Sequence, residues 1–399
     1  MVDWKPDRPS YLKNPYPALA RLRKEDPVHW DSKFEAWVLT KYEDCDTVLK
    51  QPSIFSSDAT AAIQYDRSIL ARQLAGTLDA NRQGDVPFIR TGLEEHKQQR
   101  ALASPAYNVN NYGQIVKEIA WKWAHGAIAA ARGESFEVMT GIANQAVVEA
   151  VYELLGTSTD ERSNYESLGT EIQTWRAHSG AGPIVRSQGV RAQAALRDVC
   201  AHAVSTDSGP NGAITLLRGA IAGGNISEED AAKLLFDLSI AGNNATAFLI
   251  GLMLWILAVT PDLFERLKAQ PELTSLAVIE GLRLQGPTQF IPRFATETTS
   301  IGNRIIKPGE GVLAVVTAAG RDPDRFEQPD EFLLDRSFRG QLQFGSGEHH
   351  CIGAGAAMGL AEEVLLAVLS ITEAPPMVQK LEWGGTMTLR GLKSLYLKV

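Results

Sequence analysis

Apolar side chains in this chain of 399 residues recur mostly at every third or fourth position, the spacing that places them on one face of an α-helix. This spacing predicts helices over residues 15–25, 42–49, 94–103, 114–131, 141–155 and 354–369. Alternating apolar and polar positions instead predict strands over residues 28–30, 36–39, 297–318 and 386–399. Between residues 57 and 90 the periodicity fades, which indicates a loop with short helical pieces. The pattern favours a mainly α fold with small β-sheets.

The longest predicted helix runs from Ser227 to about Thr260. Ser227 is a favoured helix N-cap, and Asp230 lies in the first turn, where a negative charge interacts well with the helix dipole. At about 1.5 Å per residue, such a helix spans nearly a whole domain. Because apolar residues occupy most of its faces, it belongs in the middle of a large core. No repeat or linker divides the chain, so we predict one domain over residues 1–399.

Composition and charge exclude several classes of protein. The hydrophobic fraction of 44% and the charged fraction of 22% are those of an ordinary globular protein. A formal net charge of −8 without a dense basic stripe argues against nucleic acid as a partner. The N-terminal residues contain no apolar run, and the apolar stretch over residues 245–259 is too short to cross a bilayer. We therefore expect no secretory signal and no association with a membrane.

The three cysteines, Cys45, Cys200 and Cys351, are too widely spaced to indicate a disulfide framework. This usage is typical of the reducing cytoplasm, where we expect the protein to reside. Cys351 differs from the other two because it lies in a glycine-rich segment. Residues 344–353 read FGSGEHHCIG.

This segment has the properties of a ligand-binding loop. Its glycines at positions 345, 347 and 353 permit tight turns and the close approach of a flat ligand. Cys351 precedes the predicted helix over residues 354–369, whose positive N-terminal end would stabilise a thiolate. Such a thiolate can ligate haem iron. A buried structural cysteine and a zinc site of His349, His350 and Cys351 are the alternatives, although three consecutive residues cannot easily reach one tetrahedral centre.

The pattern Phe344-Gly-x-Gly-x-His349-x-Cys351-x-Gly353 resembles the haem-binding signature of the cytochrome P450 family at every specifying position. Other stretches from about residue 14 to the C-terminus resemble motifs of this family in the same order. The resemblance implies the cytochrome P450 fold, with a long central helix over haem and the cysteine loop on the proximal side. It implies haem b (iron protoporphyrin IX) as the cofactor and Cys351 as the axial ligand of its iron.

The resemblance also assigns roles to other residues. The partners of the haem propionates would be His96, Arg100, Arg293 and His349. A buried structural network that locks the cysteine loop would comprise Glu280, Arg283 and Arg336. The substrate would contact residues 59–88 and 172–185 together with Leu238, Ala241, Gln289, Phe290, Ile291, Thr388 and Leu389. These side chains suggest a mainly apolar ligand with one or two polar groups.

The long helix departs from the family pattern at its centre. Members of the family usually carry Ala/Gly-Gly-x-Asp/Glu-Thr there, and the acid and the alcohol help to deliver protons. This chain instead reads Ala241-Gly242-Asn243-Asn244-Ala245-Thr246. An amide at 244 can hold an ordered water but cannot relay a proton as a carboxylate does. Thr246 comes one residue late and is rotated by about 100° from the alcohol position unless the helix is locally bulged.

We take Ala241, Gly242, Asn244 and Thr246 as the candidate catalytic residues of a monooxygenase that inserts one oxygen atom from O2 into a small, mainly apolar organic substrate. The resemblance implies electrons from a separate ferredoxin or flavodoxin with its reductase, docked on a locally basic surface formed by Lys97, Arg100 and His350. The atypical helix centre leaves other haem-thiolate reactions open, namely peroxygenation, oxidative coupling, nitration or rearrangement. A haem-binding sensor without turnover is a third class of function.

Overall fold

The structure, a computed structural model, describes residues 4–6, 8–58, 88, 91–157, 164–169, 171–172, 175, 183–206, 212–337 and 340–399. The chain divides into two units. The first comprises Met1–Gln98, Leu282–Cys351 and Met387–Arg390, and the second comprises Gln99–Gly281, Ile352–Thr386 and Gly391–Val399. The prediction of one domain over residues 1–399 stays a prediction.

The described part of the chain is mainly helical with small sheets, which confirms the predicted fold class. Its helices are α1 (Pro9–Lys13), α2 (Tyr16–Glu25), α3 (Tyr42–Lys50), α4 (Leu93–Ala103), α5 (Val109–Ala131), α6 (Asn144–Leu155), α7 (Pro183–Ser205), α8 (Ala213–Ala222), α9 (Glu228–Ala241), α10 (Asn243–Val259), α11 (Pro261–Ala269), α12 (Thr274–Gln285), α13 (Val316–Ala319) and α14 (Ala354–Ile371). Its strands are β1 (Val28–Asp31), β2 (Ala36–Leu39), β3 (Phe55–Ser56), β4 (Ser135–Glu137), β5 (Ile291–Ala295), β6 (Thr299–Ile301), β7 (Arg304–Ile306), β8 (Gly311–Ala314), β9 (Met377–Gly385) and β10 (Arg390–Lys398).

Five strands of the first unit form one sheet in the order β1-β2-β8-β5-β3. β1 and β2 are the predicted antiparallel hairpin, with Val28 opposite Leu39. β2 and β8 run parallel, and β5 is antiparallel to both β8 and β3. A second, two-stranded sheet in this unit pairs β6 with β7.

The two faces of the five-stranded sheet belong to different core layers. Val38, Phe294 and Leu313 pack on one face together with apolar residues of α2. Val312 and Ala314 pack on the other face together with apolar residues of α3. Because side chains alternate between the faces of a strand, the parity of a residue number in β5 decides which layer its side chain enters.

In the second unit, α5 packs closely along α14. A Cβ atom built on Gly355 would lie 2.4 Å from the Tyr112 hydroxyl oxygen, so the absence of a side chain at Gly355 leaves the space that the Tyr112 side chain fills. β4, β10 and β9 form a three-stranded sheet in this unit. Two helical stretches of the described chain, Glu228–Val259 and Ala354–Ile371, are long and apolar enough to cross a membrane, but 61% and 50% of their apolar windows are buried, as in core helices.

The predicted long helix between Ser227 and Thr260 is present as the helical stretch Glu228–Val259, with a single-residue interruption at Gly242, whose backbone stays in the helical region. Its start is confirmed, because the Ser227 Oγ accepts a hydrogen bond of 3.1 Å from the Asp230 backbone N–H. α9 ends at Ala241, and α10 begins at Asn243. The side-chain amide of Asn243 occupies the Ser239 carbonyl, which competes with the helical hydrogen-bond ladder at this point.

Other differences concern strands. β5 and β9 were missed, because their apolar and polar positions do not alternate regularly. The predicted strands between residues 297 and 318 end at Ala314, since Val316–Ala319 forms a helical turn. The loop predicted between residues 57 and 90 and the substrate regions over 59–88 and 172–185 lie largely outside the described residues.

Candidate functional site

The cysteine loop, residues 344–351, is closed by backbone hydrogen bonds of its own. The Cys351 N–H donates to the Phe344 carbonyl at 2.8 Å, and the His350 N–H donates to the Gly347 carbonyl at 3.0 Å. Residues Gly347–His349 form a single 3-10 turn. With the start and end of the loop joined in this way, Cys351 is held in place while its side chain stays exposed.

Two glycines of the cysteine loop adopt left-handed backbone conformations, with φ of +73° at Gly345 and +69° at Gly347. A Cβ atom on Gly347 would also lie 3.0 Å from the Leu49 carbonyl oxygen at the end of α3. A Cβ atom on Gly345 would lie 3.6 Å from the Ile291 Cδ1 atom. The loop therefore packs tightly onto the sheet face that carries α3.

Two histidines predicted from distant parts of the sequence lie together in the first unit. The imidazole rings of His96 and His349 have centroids 3.9 Å apart, and His96 is only 1% exposed. Phe88 stacks on His96 at 4.7 Å between ring centroids. The Ser57 Oγ and the His349 Nε2 lie 3.2 Å apart, and the tautomer of the imidazole decides which atom donates. Sequence reasoning missed Ser57, because no motif includes it, and it assigned Phe88 to the substrate region over residues 59–88 rather than to a stack on His96.

Arg293 and Ile291 share one face of β5. They are two residues apart, so both point toward the layer that contains α3, and Ile291 packs in that layer beside the cysteine loop. Arg293 is 4% exposed, and its guanidinium donates to the Pro292 carbonyl at 2.9 Å. Phe290 lies on the opposite face, in the layer of α2, where its ring meets Trp4 edge-on at 5.8 Å.

The predicted substrate residues Gln289, Thr388 and Leu389 belong to two chain segments that pair with each other. The Gln289 N–H donates to the Thr388 carbonyl at 2.8 Å, and its side-chain amide donates to the Met387 carbonyl at 2.9 Å. Thr288 forms a β-bridge with Leu389. Contact of these residues with a substrate stays a prediction, and so does that of Phe290, whose ring lies in the core.

The predicted structural arginines, Arg283 and Arg336, are buried and donate to the same carbonyl. Their guanidinium groups lie 2.8 and 3.1 Å from the Glu331 oxygen. Both also lie near the ring of Phe326, at 5.1 and 5.9 Å from its centroid. Arg283 further donates to the carbonyls of Gly320 and Pro329. Glu280, one turn earlier in α12, is buried as well. These bonds fasten residues 327–336 to α12.

The cysteines differ in chemical state. Burial raises the pKa of the Cys45 thiol well above its ordinary value and also raises that of Cys200. Cys351 is the exposed one of the three. Among the described residues, no cluster of three or more His, Cys, Asp or Glu side chains could hold a metal ion, so the structure does not support the zinc alternative.

The remaining predicted residues belong to the second unit. Arg100 follows His96 by one turn of α4 and is partly exposed. Leu238 is buried in α9, and Ala241 is exposed at its end. Beyond the break at Gly242, Asn244 is partly buried and Thr246 is buried. These positions keep the order predicted from the sequence and lie on either side of the single-residue interruption at Gly242.

The donors gathered in the first unit suit haem. An exposed thiol offers one soft axial ligand for iron. The imidazoles of His96 and His349 and the guanidinium of Arg293 offer hydrogen-bond donors for two carboxylates. The residues present therefore fit an iron porphyrin with two propionates.

Comparisons with known proteins agree with this fit. The model of the family described as Cytochrome P450 matches residues 211–371. Cytochrome P450 109 of Bacillus spizizenii is 28% identical over 393 residues, which cover 96% of this chain and 92% of that protein.

Solved structures resemble the whole chain. The structure of P450epoK bound to epothilone D has a TM-score of 0.88 at 22% identity and covers 100% of this chain and 99% of that one. P450 RauA complexed with a biosynthetic intermediate of aurachin RE has a TM-score of 0.87 at 23% identity and covers 99% of both chains. At these identities the likeness shows the fold, and the fold predicted from the cysteine loop is confirmed.

Proposed function

We propose that the chain is a haem monooxygenase of the cytochrome P450 family, to whose family model, relatives and solved structures it is similar, and that it inserts one oxygen atom from O2 into a small, mainly apolar organic molecule. The observation that carries the proposal is the exposed thiol of Cys351 at the end of a hydrogen-bonded loop. Electrons come from a separate ferredoxin or flavodoxin with its reductase, and the protein works in the cytoplasm.

In this proposal, the Cys351 thiolate would hold the iron of haem b. His96, His349 and Arg293, together with Arg100, would bind its two propionates, whose negative charges favour these cationic or N–H donors. Haem, when bound, would supply the activation of O2, with two electrons and two protons releasing the second oxygen atom as water. Ser57 restrains the His349 ring, and Phe88 covers His96, so the two imidazoles keep their orientation.

The candidate catalytic residues bind water rather than relay protons themselves. The Asn244 amide holds a water molecule by donating and accepting hydrogen bonds, and that water delivers the proton. Ala245 has no hydrogen-bonding side chain, and Thr246 is buried. Ala241 has no large side chain, and Gly242 has none, which permits the close approach of Val151 in α6.

The proposal of an organic substrate is supported by two similar structures, which hold epothilone D and a biosynthetic intermediate of aurachin RE. In this chain, Leu238, Ile291 and Leu389 are the apolar side chains proposed to contact the substrate, and Thr388 is the polar one. Gln289 and Phe290 stabilise the segment that contains Thr388 and Leu389. The side-chain amide of Gln289 donates to the Met387 carbonyl, and the Phe290 ring packs on Trp4.

A second function rests on the helix centre. Asn244 and Ala245 replace the acid and alcohol usual in the family, which favours a haem-thiolate enzyme that needs no proton relay, such as a peroxygenase. Oxidative coupling, nitration and rearrangement belong to the same alternative. A haem-binding sensor would turn over no substrate with either oxidant.

The first test is spectroscopic. The reduced carbon-monoxide complex of the purified protein should show the strongly red-shifted Soret band of thiolate ligation. Cys351→His should abolish this band, whereas Cys45→Ala and Cys200→Ala are controls that should keep it. A normal band in Cys351→His would overturn the assignment.

The oxidant is then tested with the same protein. We expect product with NADPH, ferredoxin and reductase to exceed product with hydrogen peroxide alone across a panel of apolar compounds preselected by their Soret shift. Product with peroxide only would favour the peroxygenase, and no product with either oxidant would favour the sensor.

A further inference from the structure

A side-chain hydrogen bond lies at the break between α9 and α10. The Asn243 Nδ2 atom donates to the Ser239 carbonyl at 3.0 Å. In a continuous helix this carbonyl would accept from the backbone N–H of Asn243 itself, four residues later. Donation from a side chain to the carbonyl four residues back competes with that backbone bond and bends helices.

The polar group at this break is buried close to α6. Asn243 is 6% exposed and Tyr152 is 1% exposed. Burial raises the pKa of the Tyr152 hydroxyl, and the nearby side-chain amide of Asn243 lowers it. Because its pKa is raised, Tyr152 stays neutral at physiological pH and can act as a hydrogen-bonding neighbour without bringing a buried charge.

Two glycines leave the space that this arrangement needs. A Cβ atom on Gly169 would lie 3.2 Å from the Tyr152 hydroxyl oxygen and 3.9 Å from the Asn243 Nδ2. A Cβ atom on Gly242 would lie 3.2 Å from the Val151 Cγ2 atom of α6. The interruption at Gly242 therefore lies close to α6, beside the neighbouring side chains of Asn243 and Tyr152.

Packing alone does not explain an asparagine side chain at position 243. Its Oδ1 atom is buried and has no hydrogen-bond partner in the part of the chain that the structure describes. A buried acceptor without a partner costs free energy, and asparagine is a poorer helix former than the apolar residues around it. An apolar side chain would pack here at lower cost, so the amide has a role that packing does not explain.

We propose that Asn243, backed by Tyr152, is a positioning residue that holds the helix break and thereby sets the directions of Asn244 and Thr246. One residue of helix corresponds to a rotation of about 100°, so a change in the break would turn both side chains away from their present directions. The inference rests on the proposed function, in which these two residues face the reaction. It explains how this chain works with an atypical helix centre.

The test compares two variants of the same shape. Asn243→Thr keeps a hydroxyl that can donate to the Ser239 carbonyl, whereas Asn243→Val has no donor. The probe is carbon monoxide bound to the reduced haem protein, because its C–O stretching frequency responds to polar groups that face it. We expect Asn243→Thr to keep the wild-type C–O band and Asn243→Val to shift it. With NADPH and a surrogate ferredoxin system, Asn243→Val should also release more peroxide per NADPH consumed.

The outcomes separate the two proposals. If the wild-type protein lacks the thiolate Soret band, the proposed function fails, whatever the variants show. If that band is present and the C–O band of Asn243→Val equals that of Asn243→Thr, the positioning role is overturned. Should Asn243→Val not fold, Tyr152→Phe decides, because it removes only the hydroxyl: a shifted C–O band supports the proposal, and an unchanged one overturns it.

Discussion

At the scale of single residues, the three cysteines show that burial decides whether a thiol stays neutral or can react. Cys45 and Cys200 are buried, and burial raises the pKa of both thiols, so each stays neutral. A neutral thiol is a poor nucleophile and a poor metal ligand. Cys351 is exposed at the end of its loop, where a thiolate can form and meet a ligand.

This difference predicts selective labelling by iodoacetamide at pH 8. In haem-free protein, Cys351 should react, whereas Cys45 and Cys200 should not, because their raised pKa values leave almost no thiolate at that pH. In haem-loaded protein, Cys351 should be protected as well. Peptide mass spectrometry of the labelled protein checks both statements, and labelling of Cys200 as fast as Cys351 would contradict them.

At the scale of secondary-structure elements, glycines decide how closely loops and helices approach. Gly347 has a φ of +69°. A Cβ atom added to it would lie 3.0 Å from the Leu49 carbonyl oxygen. The cysteine loop thus depends on a residue without a side chain for both its conformation and its contact with α3. Gly126, exposed in the interior of α5, has no such neighbour within 4 Å.

These two glycines predict opposite effects of alanine. Gly347→Ala should lower the free energy of unfolding by about 1–3 kcal/mol, because alanine is strained at this φ. Gly126→Ala should raise it by up to about 1 kcal/mol, since alanine is the better helix former. Urea unfolding of both variants measures the difference. Equal stability of Gly347→Ala and wild type would show that the cysteine loop tolerates a Cβ atom at position 347.

At the scale of the whole molecule, a net charge of −8 does not favour the acidic redox protein proposed as a partner, so the proposed docking would depend on local basic residues. Lys97 in α4 is such a residue, and it pairs with Glu94 at 3.3 Å on the surface. Exposed ion pairs of this kind contribute little to stability, which leaves the lysine available for a partner.

We expect Lys97→Glu to slow reduction of the protein by ferredoxin at low ionic strength and to have little effect at high ionic strength, where charges are screened. Lys393→Glu is the matched control, because Lys393 is an exposed lysine paired with Glu382 at 2.8 Å in the terminal hairpin. Stopped-flow reduction rates check the prediction. Equal slowing by both variants would indicate a general effect of charge, and an unchanged rate in Lys97→Glu would reject the contact.

Much of the fold and of the candidate site was predictable from local patterns. The hairpin of β1 and β2, the helix α3 and the N-cap at Ser227 follow from periodicity and capping rules that act over a few residues. β5 was not predictable in this way. Its central position in the sheet buries three of its five residues, so the alternation that reveals a half-exposed strand is weak.

The sequence by itself determined the glycine-rich cysteine loop, the resemblance to the cytochrome P450 family, and the absence of the usual acid and alcohol at residues 244 and 245, because each depends on residue types at fixed short spacings. Only the tertiary structure decided that Ser57 and Phe88 hold the paired imidazoles of His96 and His349, and that α6 backs the helix break at Asn243. The physical reason is that these contacts join residues far apart in the chain, where packing, rather than local periodicity, decides which side chains meet.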